Sequence, residues 1–279
     1  MRPRRLWYGS WTACLVALAG LTLGAAPARA GGAGGTPVDL ELVLAVDISY
    51  SMDVEEQALQ RDGYASAVTS PEFLEALRLG PQGRIAVAYV EWAGEHEQEV
   101  VVAWRTIDDR ASAKAFADAI KAAPLRRVYR TSISGALLYA ADQFEANGFK
   151  GLRRVIDISG DGVNNQGPPV QLARDSVLRR GITVNGLPLV LKRGTASAID
   201  VPELDLYYED CVIGGAGAFV IPVEHISEFA RAIKTKLVLE VAGVVPPPGA
   251  GGLVVPAAAQ QPRVSCTIGE KMWQDHWAN

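Results

Sequence analysis

Oxygen-bearing side chains are concentrated in three short segments of this sequence, the first of which follows an apolar run. It reads Asp47-Ile48-Ser49-Tyr50-Ser51, so a carboxylate and two hydroxyls alternate with other side chains and lie toward one side of a turn. Hard cations such as Mg²⁺ prefer oxygen ligands in near-octahedral geometry at about 2.0–2.1 Å. The spacing therefore indicates a divalent-cation site. Capping of the following helix is the alternative role, because Asp and Ser are common N-caps.

The second and third segments carry the same kinds of oxygen atom. Thr131 and Ser132 lie just before an apolar stretch with helical period, where capping is again the alternative role. The third segment, 155–162 (VIDISGDG), runs from an apolar strand-like stretch into Asp161, which has a glycine on each side. Glycines let a backbone turn sharply and approach an ion closely. All three segments could supply one cation if the fold brings them together.

The elements around these segments alternate between strand-like and helix-like patterns. Apolar runs typical of buried strands occupy 41–46, 84–90, 100–104, 155–158, 182–184 and 218–223. Apolar faces with helical period lie between or after them, within 113–120, 133–144 and 226–237. This order predicts an α/β fold, a doubly wound, mostly parallel (Rossmann-like) sheet flanked by helices. Ligands bind such sheets beyond the carboxyl ends of the strands, where the first and third segments lie.

The D-x-S-x-S run, a Thr before an apolar helix and an Asp-Gly after a later strand together resemble the metal-ion-dependent adhesion site (MIDAS) of von Willebrand factor A (vWFA) domains. The resemblance extends over 38–241, with all three parts in the expected order. The stretches 155–165 and 211–219 are also similar to an exported bacterial branch of these domains that has no established function. The resemblance implies the metal ligands Asp47, Ser49, Ser51, Thr131 and Asp161.

One position departs from the family pattern. The family usually has Thr directly before the third-segment Asp, whereas Gly160 occupies that place here. Asp157 is therefore a rival for the third carboxylate. We favour Asp161, because Asp157 is expected to fall within the strand rather than beyond its end.

The resemblance implies binding rather than catalysis. Hydroxyls and carboxylates would hold Mg²⁺, with Mn²⁺ and Ca²⁺ as alternatives, and the neutral hydroxyls would leave the ion with residual positive charge. A partner protein's Asp or Glu could then bind the ion. The chain is accordingly interpreted as an exported protein-binding module for adhesion or scaffolding, with no catalytic residue.

Two other functions are alternatives to a metal-dependent binding module. A divalent-metal-dependent hydrolase or phosphatase is possible on such a sheet, but the sequence has no phosphate-binding G-x-x-x-x-G-K-[ST] loop and no G-x-S-x-G elbow. A purely structural domain with an empty site is the third interpretation. Retention of every oxygen-bearing position makes it less attractive.

The N-terminus and the charge indicate the compartment and the class of partner. Residues 1–30 contain a basic start, an apolar run and a small-residue Ala28-Arg29-Ala30 site, which predicts a cleaved signal peptide and a periplasmic or secreted protein. A single N-terminal membrane anchor is the alternative, but the apolar run is shorter than the roughly 20 residues that a spanning helix needs. Cleavage would leave 23 basic and 31 acidic residues, a net charge of −8. That balance argues against nucleic acid and against anionic membrane surfaces, because both bind basic patches.

The flanks of the predicted domain differ from it in composition. A Gly-rich lead is expected at 31–37, and a Pro/Gly/Ala-rich linker with a C-terminal tail at 242–279. Prolines and glycines in the linker are incompatible with a continuous membrane-spanning helix. Cys211 and Cys266 remain after cleavage, and an oxidising compartment favours a disulfide between them over two buried free thiols.

Overall fold

A computed structural model of the chain describes residues 34–190, 203–244, 255–256 and 262–278. The predicted signal peptide, 1–30, lies outside the described residues, as does most of the predicted linker. Among the residues that are described, no helix has the length and apolar character needed to cross a membrane.

The described strands form one seven-stranded sheet. They are β1 (Thr36–Asp47), β2 (Ile85–Trp92), β3 (Gln98–Ile107), β4 (Phe149–Gly160), β5 (Thr183–Pro188), β6 (Phe219–Val220) and β7 (Val255–Pro256). Their order across the sheet is β3-β2-β1-β4-β5-β6-β7. The five central strands, β2, β1, β4, β5 and β6, run parallel to one another. The two outer strands are antiparallel to their neighbours, β3 to β2 and β7 to β6.

Helices connect and flank the strands. They are α1 (Val54–Val68), α2 (Pro71–Arg78), α3 (Arg110–Ala122), α4 (Ile133–Asp142), α5 (Val170–Arg179), α6 (Leu204–Tyr207), α7 (Phe229–Ala242) and α8 (Ile268–Ala278). A π-helical turn, Tyr208–Val212, continues α6, and a 3₁₀ turn, Ile226–Glu228, precedes α7.

The core has two apolar layers, one on each face of the sheet. Successive side chains of β1 alternate between them, because a strand has a period of two. Leu42 and Leu44 pack in the layer that contains the buried faces of α1, α2, α3 and α7, whereas Val43 and Ala45 pack in the layer of α4, α5 and α6. Every residue of β1 from Val38 to Asp47 is buried, so this central strand is covered on both faces of the sheet.

The predicted doubly wound, mostly parallel α/β sheet is confirmed. Strand β3 is present as expected but antiparallel to β2, because only the residues 93–97 connect the two strands and a parallel pair needs a longer crossover. Helices α2 and α5 were not indicated by the apolar periodicity. The predicted strand at 218–223 is regular only at its two residues Phe219 and Val220.

The C-terminal tail folds back onto the domain. Cys211 in the π-helical turn and Cys266 just before α8 form a disulfide with their Cα atoms 5.4 Å apart, in agreement with the pairing predicted from the sequence. Arg263 adds ion pairs to Glu209 at 2.9 Å and to Asp210 at 2.8 Å. The tail is therefore attached to the π-helical turn both covalently and by charge.

We expect the disulfide to contribute substantially to stability, because it closes a loop of 55 residues in the unfolded chain. Replacing both Cys211 and Cys266 by serine should lower the free energy of unfolding by about 2–4 kcal/mol. Urea unfolding of the oxidised wild type and of the double variant measures the difference. Thiol labelling of the denatured, unreduced wild type should detect no free cysteine among these two, and quantitative labelling of both would contradict the bridge.

Candidate metal site

The three oxygen-rich segments meet where β1 lies between β2 and β4. The chain runs from β1 to one neighbour, β2, and later returns on the other side as β4, so the connections leave the carboxyl end of β1 in opposite directions. Such a switch point leaves a crevice beyond the strand ends. Asp47 is the last residue of β1, and Asp161 directly follows the last residue of β4.

Hydrogen bonds join the first and third segments side chain to side chain. The backbone N–H of Ser49 donates to Asp47 Oδ1 at 2.6 Å, which tightens the turn after β1. Ser49 Oγ and Ser51 Oγ are 2.9 Å apart. Ser51 Oγ in turn donates to Asp161 Oδ1 at 2.6 Å. Two carboxylates and two hydroxyls from distant parts of the sequence therefore form one continuous cluster.

Thr131 of the second segment lies against the turn that carries Asp161. Its Oγ1 lies 3.5 Å from the position that a Cβ on Gly162 would occupy, so it is close to the turn that carries Asp161. Its backbone N–H donates to Asn165 Oδ1 at 3.1 Å, and its carbonyl accepts from the N–H of Asn165 at 2.9 Å. The preceding residue, Arg130, has a left-handed φ of 79°, a conformation that non-glycine residues adopt only when their surroundings enforce it. The second segment is thus held against the third.

The capping role that competed with metal binding is taken by other residues. Asp53 caps α1, accepting from the N–H of Glu56 at 2.8 Å in a complete capping box. Ser132 caps α4, accepting from the N–H of Gly135 at 3.1 Å. The oxygens of Asp47 and Thr131 are therefore not needed to satisfy the N-termini of these helices.

Asp47 carries the feature that best tests whether the cluster fits a cation. Its side chain is fully buried, and Oδ2 has no hydrogen-bond partner. Burial, followed by the nearby charge of Asp161, raises the pKa of Asp47 well above its usual range. A buried carboxylate oxygen without a partner is costly, and a divalent cation would remove that cost while neutralising both acids. The residues present therefore fit a hard, oxygen-preferring ion.

The cluster is graded from buried to exposed. Asp47, Ser49 and Thr131 are buried, Asp161 is half-buried and Ser51 is exposed. The described residues contain no group of three or more His, Cys, Asp and Glu side chains that could hold a metal. The oxygen set here consists instead of three hydroxyls and two carboxylates, and Ser51 and Asp161 bring one side of it to the solvent.

Asp157 lies in a different place from the cluster. As expected from the sequence it is inside β4, where its Oδ1 is 2.6 Å from Nζ of Lys236 on α7. The same ammonium is 2.5 Å from Glu240 Oε1, which also accepts from Asn185 Nδ2 at 2.9 Å. The carboxylate that was the rival of Asp161 thus belongs to a buried ionic cluster between the sheet and α7.

This buried cluster should make stability depend on pH. Burial, and next the charge of Glu240, raise the pKa of Asp157 to about 7. Between about pH 4, the ordinary pKa of Asp, and pH 7 the folded state therefore binds the extra proton, so the free energy of unfolding falls as pH rises.

Asp157→Asn should remove this fall, whose slope is at most about 1.4 kcal/mol per pH unit. Urea unfolding at intervals from pH 4.5 to 8.5 gives the difference between variant and wild type. That difference should move in favour of the variant as pH rises and level off above pH 7. A constant difference across the range would contradict the raised pKa.

Sequence reasoning did not single out one residue near the cluster, Tyr208 of the π-helical turn. A Cβ on Gly160 would lie 2.8 Å from Asp47 Oδ2 and 2.9 Å from the hydroxyl oxygen of Tyr208. The charges of Asp47 and Asp161 add to burial in raising the pKa of Tyr208 well above its usual range. The available signal was the glycine at 160, where the family usually has a larger residue.

An aromatic and cationic rim borders the exposed side of the cluster. Tyr50 and Tyr129 stack with ring centroids 4.4 Å apart, and they are 48% and 69% exposed. The Arg127 guanidinium lies 4.0 Å over the Tyr50 ring, and that of Arg130 lies 3.5 Å over Trp273 of α8. Exposed tyrosines and arginines are the residue types that dominate protein interfaces.

Comparisons with known proteins agree with this architecture. Residues 37–245 match the family model described as "Protein of unknown function (DUF1194)". A comparison with curated proteins found no significant match.

Solved structures show the same fold at low sequence identity. Proximal thread matrix protein 1 from the mussel byssus, in a structure titled as having a zinc-occupied MIDAS motif, is 16% identical with a TM-score of 0.54 and coverage of 75% of this chain and 49% of its own. The pilus adhesin SpaC from Lactobacillus rhamnosus GG is 11% identical with a TM-score of 0.54 and coverage of 75% and 31%. This chain thus spans half or less of either protein. The predicted vWFA-like domain is confirmed at the level of the fold.

Proposed function

We propose that this chain, which belongs to the DUF1194 family of proteins of unknown function, is an exported module that binds a partner protein through a divalent cation. The proposed ion is Mg²⁺, with Mn²⁺ or Ca²⁺ as alternatives, and the proposed ligands are Asp47, Ser49, Ser51, Thr131 and Asp161. Catalysis is not part of the proposal. The titles of the structural relatives, one a pilus adhesin and one with a zinc-occupied MIDAS motif, are in line with such a role.

One observation carries the proposal. A hydrogen bond joins the side-chain oxygens of the loops after β1 and β4, and Thr131 of a third loop lies beside them, while Asp53 and Ser132 cap the helices that follow. Two acids are held close together, and one of them has a buried oxygen without a partner. A purely structural loop would leave this arrangement unfavourable, whereas a bound cation would make it favourable.

The proposed ligands have two different roles. Asp47 and Asp161 supply the negative charge, and Ser49, Ser51 and Thr131 supply neutral oxygens. A bound cation would provide a Lewis-acidic centre that attracts a carboxylate. The two carboxylates would only balance the charge of a divalent ion and the three hydroxyls are neutral, so the loaded site would carry no net negative charge that repels a partner's carboxylate. Ser51 and Asp161 lie on the accessible side, where a partner's Asp or Glu would approach.

The rim explains how such a contact could become specific. Tyr50 and Tyr129 offer ring faces beside the opening, and Arg127 and Arg130 offer positive charge to an acidic partner segment. Charge complementarity of this kind raises the rate of association and discriminates between partners. The preferred partner is thus a protein with an acidic, partly apolar surface loop.

Affinity capture from periplasmic extract tests the function. The immobilised protein should retain a partner in Mg²⁺ and release it in EDTA, and Asp161→Ala should capture nothing in either condition. Asp157→Asn is the matched control, since it changes a β4 carboxylate away from the cluster, and it should capture the partner like the wild type. A partner held equally in EDTA would contradict a metal-bridged contact.

The hydrolase alternative makes a different prediction for the same preparations. Metal-dependent turnover of a phosphate ester or carboxylic ester, lost in Asp161→Ala, would favour the enzyme over the binding module. We expect no such turnover.

A further inference from the structure

Tyr208 has an unusual environment for a tyrosine. Its side chain is fully buried, yet its hydroxyl has no hydrogen-bond partner. Buried tyrosine hydroxyls usually find one, because an unpaired polar group costs free energy. The hydroxyl borders the space above Gly160, which is also bordered by Asp47 Oδ2, a second buried polar atom without a hydrogen-bond partner.

Two glycines make room for the ring. A Cβ on Gly186 of β5 would lie 2.9 Å from Cδ1 of Tyr208, and a Cβ on Gly160 of β4 would lie 2.9 Å from its hydroxyl oxygen. Any larger residue at either position would have to displace the ring. The neighbouring strands therefore form a slot whose far end is the acidic side of the oxygen cluster.

The backbone that presents Tyr208 is itself specialised. Tyr208 begins the π-helical turn Tyr208–Val212, and such turns are frequent at functional sites. Cys211 within the turn is bridged to Cys266, and Arg263 pairs with two acids of the same turn. The tail thus fixes the segment from which the tyrosine reaches the cluster.

We propose that Tyr208 is a positioning residue of the metal site, donating a hydrogen bond from its hydroxyl to Asp47 Oδ2 in the ion-loaded protein. It supplies a hydroxyl from a distant turn where the side chain at position 160 is missing. This inference rests on the proposed function, since it assigns a residue to the same cation site.

The chemistry of the two atoms supports this assignment. A carboxylate that binds a metal through one oxygen commonly has its other oxygen held by a hydrogen bond, which orients it and tunes its affinity. Tyr208 can donate and Asp47 can only accept when ionised. Both atoms lie within 3 Å of the position that a Cβ on Gly160 would occupy, so they face the same small space. Pairing them would satisfy two buried groups at once.

Mn²⁺ binding followed by electron paramagnetic resonance of the free ion tests the inference. Tyr208→Phe should weaken Mn²⁺ binding about 10–100-fold, as loss of an outer-shell partner typically does. The metal-free variant should be as stable as the wild type or more so, because the hydroxyl it loses has no partner there. A purely structural tyrosine would change the stability of the metal-free protein and leave the Mn²⁺ affinity unaltered.

Tyr89→Phe is the matched control. Tyr89 of β2 is also fully buried with an unpartnered hydroxyl, but it packs in the opposite layer of the core. It should bind Mn²⁺ like the wild type. If Tyr208→Phe also binds like the wild type, the inference is overturned and the proposed function stands. If the wild type binds no Mn²⁺, the proposed function fails and the inference with it.

A second measurement works on the wild-type side chains. In protein labelled with 3-fluorotyrosine, saturating Mg²⁺ should shift the ¹⁹F signal of Tyr208 and leave that of Tyr89 in place. The two Phe variants assign the signals. A Tyr208 signal that saturating Mg²⁺ leaves unmoved, in a sample whose melting temperature responds to Mg²⁺, would overturn the role of Tyr208 alone.

Discussion

Replacing Lys236 by methionine is expected to lower the free energy of unfolding by about 3–5 kcal/mol, a large share of the stability of an ordinary domain. Lys236 is fully buried, and its ammonium lies 2.6 Å from Asp157 and 2.5 Å from Glu240. Without the ammonium, Asp157 and Glu240 would be left buried with no compensating charge. Urea unfolding at pH 7 measures the loss.

Two further variants test whether the loss of stability comes from the buried acids, Asp157 and Glu240, that Lys236 no longer neutralises. Adding Asp157→Asn and Glu240→Gln to Lys236→Met should recover much of the stability, because no charge then remains in this part of the core. Lys234→Met is the surface control. Lys234 is partly exposed on the same helix and pairs with Glu72, so its loss should cost no more than about 1 kcal/mol. Equal effects at 234 and 236 would contradict the buried cluster.

Divalent cations are expected to stabilise the wild type strongly and Asp47→Ala or Asp161→Ala not at all. An ion that binds only the folded state stabilises it by mass action, by about 2.7 kcal/mol at 100 times the dissociation constant. The melting temperature should therefore rise with the concentration of Mg²⁺ or Mn²⁺ in the wild type. In the metal-free state Asp47→Ala should cost little, because it removes a buried acid close to Asp161.

Asp53→Ala separates metal binding from helix capping. Asp53 caps α1, so its loss should cost about 0.5–2 kcal/mol with or without metal and should leave the metal response in place. Asp157→Asn should keep the response as well. If Asp157→Asn loses the metal response while Asp161→Ala keeps it, the assignment of the third carboxylate is wrong. A wild type that ignores millimolar divalent ions would count against the whole site.

The position of the tail adds a structural detail to this site. Glu270 of α8 accepts a hydrogen bond from Asn164 Nδ2 at 2.8 Å, in the loop that follows Asp161. Trp273 lies under Arg130, next to Thr131. The C-terminal helix thus contacts two of the three loops that carry the proposed ligands.

The sequence by itself determined the frame of the protein. A buried strand appears in the sequence as a short apolar run, and a helix appears as apolar residues that recur every 3.6 positions. Both patterns arise because each element packs an apolar face against the core. These local patterns were enough to predict the α/β class and the strand ends at which Asp47 and Asp161 lie, but not helices α2 and α5. The cysteine pair followed from their number and from the predicted compartment.

Only the tertiary structure decided which polar groups share a space. That Ser51 bonds Asp161, that Asp157 pairs with Lys236, and that the hydroxyl of Tyr208 lies above Gly160 all depend on contacts between residues far apart in the chain. No periodicity encodes such pairs, because a helix or strand pattern specifies which face is buried and not what it meets. Likewise, the sequence does not distinguish Asp53 and Ser132 from Asp47 and Thr131, because their side chains offer the same kinds of oxygen atom. Their backbone angles and hydrogen bonds alone make them the caps, and so leave Asp47 and Thr131 available for a cation.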